Sequence, residues 1–207
     1  MKILITAAVA AASFVSLACS GGVTPNGNTT AANKTAANKT APNSTATNNA
    51  APAKADDVPA SVKAALPNAQ TFTTQHRDLT DAQIASIEKD TGGKVSEKDH
   101  HSYLAFSSAN GARTQVGAAT VVKAAGKEIV IVYDNKDGSP VIKEIKAEGL
   151  PAGFLGQFSG KGHDDDLLLG ADIKANGAKE DQAAAITDAV RIDLLSMQAL
   201  YGKAHNH

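Results

Sequence analysis

The chain has 207 residues, with 20 Lys and Arg against 21 Asp and Glu and a net charge of −1 when histidine is neutral. With five Phe, three Tyr, no Trp and no basic stripe, it lacks the electrostatic footprint of a nucleic-acid partner. Its single cysteine excludes an intramolecular disulfide framework, a zinc–thiolate cluster and a c-type haem.

The first elements are export signals. "MKILITAAVAAASFVSLACSGG" carries a basic Lys2, an apolar run from Ile3 to Ala12 and small residues before Cys19, the plan of a secretory signal over residues 1–18. The run is too short to span a bilayer comfortably. Cys19 stands where cleavage would fall, and "SLACS" resembles a bacterial lipobox, with Ser16 where an aliphatic residue is preferred. Lipid attachment at Cys19 is the expectation, and an ordinary signal cut nearby is the alternative. The implied location is the cell envelope, with a lipid anchor as the membrane contact and Ser20 pointing to the outer membrane. Residues 19–55 are rich in Ala, Asn and Thr, with "AANKT" in tandem and no aromatic residue. Such a segment buries too little apolar surface to offset its ordering entropy, so it reads as a disordered tether. In this bacterial-looking context the sequons at Asn28, Asn33, Asn38 and Asn43 read as polar linker.

Residues 56–202 are long enough for one folded domain, and 203–207 form a tail. The histidines of "GKAHNH" lie in that tail without the elements a nuclease site needs. "VPASVKAALPNA" predicts a short helix, and "TFTTQH" a strand. "TDAQIASIEKDTGG" predicts a helix opened by Thr80 and Gln83 at capping-box spacing and closed at Gly92–Gly93. "HSYLAFSS" predicts a strand with Tyr103 and Ala105 on one face and Leu104 and Phe106 on the other. Before it, His100 and His101 read as exposed residues of a polar loop. Three further β-rich runs follow, separated by Gly126 and by "NKDGS", and predict an antiparallel meander. "LPAGFLGQFSGK" predicts a short helix. In "KEDQAAAITDAVRIDLLSMQALYG", Ala183, Ile186, Val190, Leu194, Met197 and Tyr201 recur at three- and four-residue steps, an amphipathic helix stopped at Gly202. The fold class is α+β: a meander sheet packed with helices, ending in a long amphipathic helix.

The order of "GAATVV", "GSPVIKEI", "FLGQFSGK", "GADI", "NGA" and a final helix resembles the FMN-binding domain family, over nearly all of Asp56–Tyr201. That family comprises periplasmic flavin domains of ion-pumping redox complexes and of membrane-linked reductase regulators. The resemblance implies FMN as cofactor, electron transfer at the membrane surface and a membrane redox complex as partner. In the family an Asp precedes Ser or Thr-Gly-Ala-Thr, and a flavin transferase joins the last Thr to FMN through a phosphoester.

On that pattern the cofactor-binding positions are Asp172, Asn176, Gly177, Ala178 and Lys179. Asp172, Gly177 and Ala178 match. Asn176 replaces a hydroxyl residue, and Lys179 stands at the acceptor position. Lysine has no hydroxyl, so the phosphoester cannot form there, and FMN, if present, is non-covalent. Asp181 and Gln182 replace the hydroxyl residues expected next. Carboxylates in a first helical turn favour the helix dipole but repel a phosphate from the same amides. Lys179 would offset part of that as a point charge. "NGAKED" therefore reads also as a well-capped helix start with no cofactor. Two functions stay open: a flavin redox module, or a flavin-free binding or structural lipoprotein that keeps the fold.

One further cluster concerns metal. "GKGHDDD" sets His163 beside three aspartates, and His163, Asp164 and Asp166 are weak candidate ligands for a hard cation. A solvated charge run is the plainer reading. No hydrolase motif stands out, so the chain reads as an electron-transfer or binding module and not as a stand-alone catalyst, with no catalytic residue assigned.

Overall fold

The structure is a computed structural model that describes residues 57–109 and 111–203. The signal, Cys19, the tether and the last four residues of the tail lie outside the described residues.

Five strands form one antiparallel sheet in sequence order: β1 (Thr71–Asp78), β2 (Asp99–Ala109), β3 (Ala112–Ala124), β4 (Lys127–Lys136) and β5 (Ser139–Ala147). The meander expected from the turn residues is present. Ala125–Gly126 joins β3 to β4 with φ of 50° and 70°, and Asp137–Gly138 joins β4 to β5 with φ of 56° and 92°. Two consecutive left-handed residues are the signature of a hairpin turn whose twist matches the strands. Asn135 Oδ1 accepts the Gly138 amide at 2.9 Å and closes the second turn.

Helices cover both faces. On one face lie the long α4 (Glu180–Tyr201) and the short α3 (Ala152–Leu155), whose chain continues as a 3-10 turn at Gly156–Phe158. Ile129, Ile131, Tyr133, Ile142 and Ile145 of the sheet meet Ala183, Ile186, Val190, Leu194 and Met197 of α4 in one core, with Phe154, Phe158 and Ile173 filling its end. Each such fully buried aliphatic side chain contributes about 1.5–3 kcal/mol. The predicted α4 stripe is this interface, with Tyr201 half-buried at its end. On the other face α1 (Ala60–Ala65) buries Val62 and Ala65 against Ala105, Ala119, Val130 and Val132.

Between β1 and β2 runs α2 (Asp81–Thr91). Its Thr80–Gln83 capping box is complete, and Gly92 ends it in the left-handed conformation at φ 72°. Gln83 Nε2 donates to Ala199 O at 2.7 Å and ties α2 to the end of α4. Arg77 of β1 donates to Leu200 O at 2.8 Å, with its guanidinium 4.6 Å from the Tyr201 ring centre. A cation at the C-terminal carbonyls suits the helix dipole.

Two expectations need correction. His100 and His101 are not loop residues, because β2 begins at Asp99 and pairs from there with β1. Their polarity hid the strand: a sheet that leaves one face open at its edge admits polar side chains. The start of α4 is not well capped either. Lys179 is its N-cap residue and makes no side-chain cap, because an ammonium has no acceptor to offer the free amides.

Candidate functional site

The turn singled out by the family pattern is built by local hydrogen bonding. Ile173 is fully buried and anchors it in the core. Gln157 exchanges two bonds with Lys174: its Nε2 donates to Lys174 O, and its Oε1 accepts from Lys174 N, both at 2.8 Å. Asp172 Oδ2 accepts the Leu168 amide at 3.1 Å, so that carboxylate closes its own loop. Asn176 Nδ2 donates to Gly153 O at 3.1 Å, which pins the turn to α3. Asn176 and Gly177 take φ of 43° and 90°. Asn and Gly are the residue types that tolerate this left-handed geometry. Asp172 thus closes the Leu168–Asp172 loop, while Asn176 and Gly177 form a separate turn that runs through Ala178 into the N-cap residue Lys179.

The helix mouth itself carries opposing charge. Lys179, Glu180 and Asp181 are all exposed there. Asp181 Oδ1 accepts the Gln182 amide at 2.8 Å, taking one of the N–H groups that an anion would use. The next hydroxyl along the helix, Thr187, is 1% exposed and faces the core. Clefts of 910, 670 and 590 Å³ are lined elsewhere on the described domain.

The metal candidates in "GKGHDDD" divide. His163 Nε2 lies 3.1 Å from Asp164 Oδ1, with Asp164 82% exposed, and Asp166 stands exposed beside them. Asp165, which was not a candidate, bonds Lys161 Nζ at 2.8 Å and the Gly162 amide at 2.9 Å. Burial pushes the Asp165 carboxyl up, but the Lys161 ammonium and the Gly162 amide outweigh it and hold it below its ordinary value. Lys161 with Asp165 and His163 with Asp164 are thus engaged as two separate pairs.

Sequence reasoning missed a buried carboxylate that accepts bonds from three strands. Asp193 lies on the buried stripe of α4 at 5% exposure. Its Oδ2 accepts from Thr120 Oγ1 at 2.5 Å and from Tyr133 Oη at 2.7 Å, and its Oδ1 receives His100 Nε2 at 2.9 Å. The network joins α4 to β2, β3 and β4. Burial, then the Asp193 charge, pushes the Tyr133 hydroxyl well above its ordinary value, so Tyr133 remains a donor. The other ring nitrogen of His100, Nδ1, is buried with no hydrogen-bond partner. No nucleophile is poised on His100: Ser102 pairs with Tyr201 Oη, and Ser196 bonds Ile192 O. The arrangement clamps a helix onto a sheet. Its signal in the sequence was a lone carboxylate at stripe spacing, three residues after Val190 and four before Met197.

Compared with known proteins, the chain matches no family model, no curated protein and no solved structure.

Proposed function

We propose that this is an exported, lipid-anchored α+β module of the FMN-binding-domain type that works without flavin, as a binding module at the envelope surface. The observation that carries this reading is the bond from the Gln182 amide to Asp181 Oδ1 at the mouth of α4. A phosphate there would compete with a carboxylate already seated and be repelled by Glu180 as well. Lys179, at the position of the acceptor hydroxyl, offers no oxygen for a phosphoester. The fold survives this change because the turn is held by Gln157, Asn176 and Ile173, none of which depends on a cofactor.

A redox role with non-covalent FMN keeps one support, the Lys179 ammonium beside the helix N-terminus, a point charge suited to a phosphate. The two readings separate by visible absorption of protein purified from its native host. A colourless protein that takes up no FMN on titration supports the flavin-free module. A flavin spectrum that co-purifies, or FMN fluorescence quenched stoichiometrically on titration, overturns it.

A further inference from the structure

On the sheet face away from α4, two histidines from neighbouring strands meet one carboxylate. His76 of β1 and His101 of β2 are direct cross-strand partners. Directly opposite residues leave the same face of an antiparallel pair with Cβ atoms about 5 Å apart. Asp99 precedes His101 by two residues, and the period of a strand returns it to that face. His76 Nδ1 lies 3.2 Å and His101 Nε2 2.8 Å from the same atom, Asp99 Oδ2. The three ligand atoms all fall within 4.8 Å of one another, and the two rings meet edge to face with centres 4.1 Å apart. All three side chains are about half exposed, at 57%, 45% and 46% for His76, His101 and Asp99.

Two positions on in the register, Asp78 stands directly opposite Asp99. Like charges in that position destabilise an antiparallel pair, and a bound cation would reverse the sign of that interaction. Burial tends to raise the Asp99 carboxyl, but hydrogen bonds from His76 and His101 outweigh it and hold it below its ordinary value.

We propose that His76, Asp99 and His101 bind a divalent first-row transition cation, Zn²⁺ being the best match, with Asp78 adding negative charge beside it and water completing the coordination. Imidazole nitrogens select this class over Mg²⁺ and Ca²⁺, which favour oxygen donors throughout. Zinc binds His nitrogen and carboxylate oxygen at about 2.0–2.2 Å, so tetrahedral donors stand about 3.3 Å apart. The ligand atoms here, 2.8 Å apart for His101 and Asp99 and all within 4.8 Å of one another, are close to that spacing. The site lies on the face opposite the Asp172–Lys179 turn and does not rest on the flavin-free reading.

The test is calorimetric titration of ZnCl₂ into the untagged, chelator-stripped full chain, with circular dichroism to verify each variant's fold. One equivalent should bind with a Kd of about 10 µM or tighter. His76→Ala, His101→Ala and Asp99→Asn should each weaken it by about tenfold or more, since even outer-shell losses at metal sites reach that size. His163→Ala and the tail variant His205→Ala/His207→Ala should bind as the parent does. The proposal is overturned if the parent takes up no zinc, or if a folded His76→Ala/His101→Ala variant binds with unchanged affinity.

Discussion

The mouth and the middle of α4 solve opposite problems. At the mouth, Lys179, Glu180 and Asp181 stand in solvent, and no side chain caps the helix from its N-cap position. Less than four turns further on, Asp193 is buried and holds three donors from three strands. The helix owes its place to the middle and not to its start. A helix fixed by its centre tolerates changes in its first turn, so chemistry at the mouth can be lost while the fold persists.

The largest test of this contrast removes the clamp. Asp193→Ala leaves Thr120, Tyr133 and His100 without an acceptor in the core, and should cost about 3–5 kcal/mol in urea denaturation. A loss below about 1 kcal/mol would mean that the apolar stripe alone seats the helix. Helix starts come next. Thr80→Ala breaks the capping box of α2 and should cost about 1 kcal/mol, whereas Lys179→Ser gives α4 the acceptor it lacks and should stabilise by about 0.5–1 kcal/mol. If Lys179→Ser destabilises, the lysine has a structural role at the mouth that its exposure does not reveal.

The smallest effect concerns pH. The Asp165 carboxyl is held below its ordinary value in the folded state. A depressed carboxylate contributes stability that is present above its unfolded value, near 3.8, and is lost as pH falls through the folded value. The pair is partly exposed, so the contribution is small. Thermal melts of Asp165→Asn should therefore lie slightly below the parent at pH 7 and converge with it as the pH drops below that value.

Most of the sheet was legible because its turns are chemically explicit. Gly126 and "NKDGS" fixed two hairpins, and the alternation around Tyr103 and Leu104 assigned the faces of β2 correctly. The capping box at Thr80 and the left-handed Gly92 bounded α2 for the same reason: local geometry demands those residue types. What stayed hidden depends on partners distant in sequence. Asp193 bonds residues 60, 73 and 93 positions away, and nothing within α4 announces them. His76 and His101 meet only through strand register, which a polar "KDHH" run does not disclose. The Asp172–Lys179 stretch was singled out by the resemblance alone. Its bonds to Gly153 and Gln157 and the seat of Asp181 on the Gln182 amide needed coordinates.

The central proposal is that the mouth of α4 takes no covalent flavin, and intact-mass measurement after co-expression with a flavin transferase and FMN tests it most directly. The parent should show no FMN adduct. Lys179→Thr alone should gain little, since Asp181 still faces the phosphate. Adding hydroxyl residues at Asn176, Asp181 and Gln182 to that change should gain more. A parent chain one FMN heavier, with the adduct mapped to any residue of the described domain, would contradict the account.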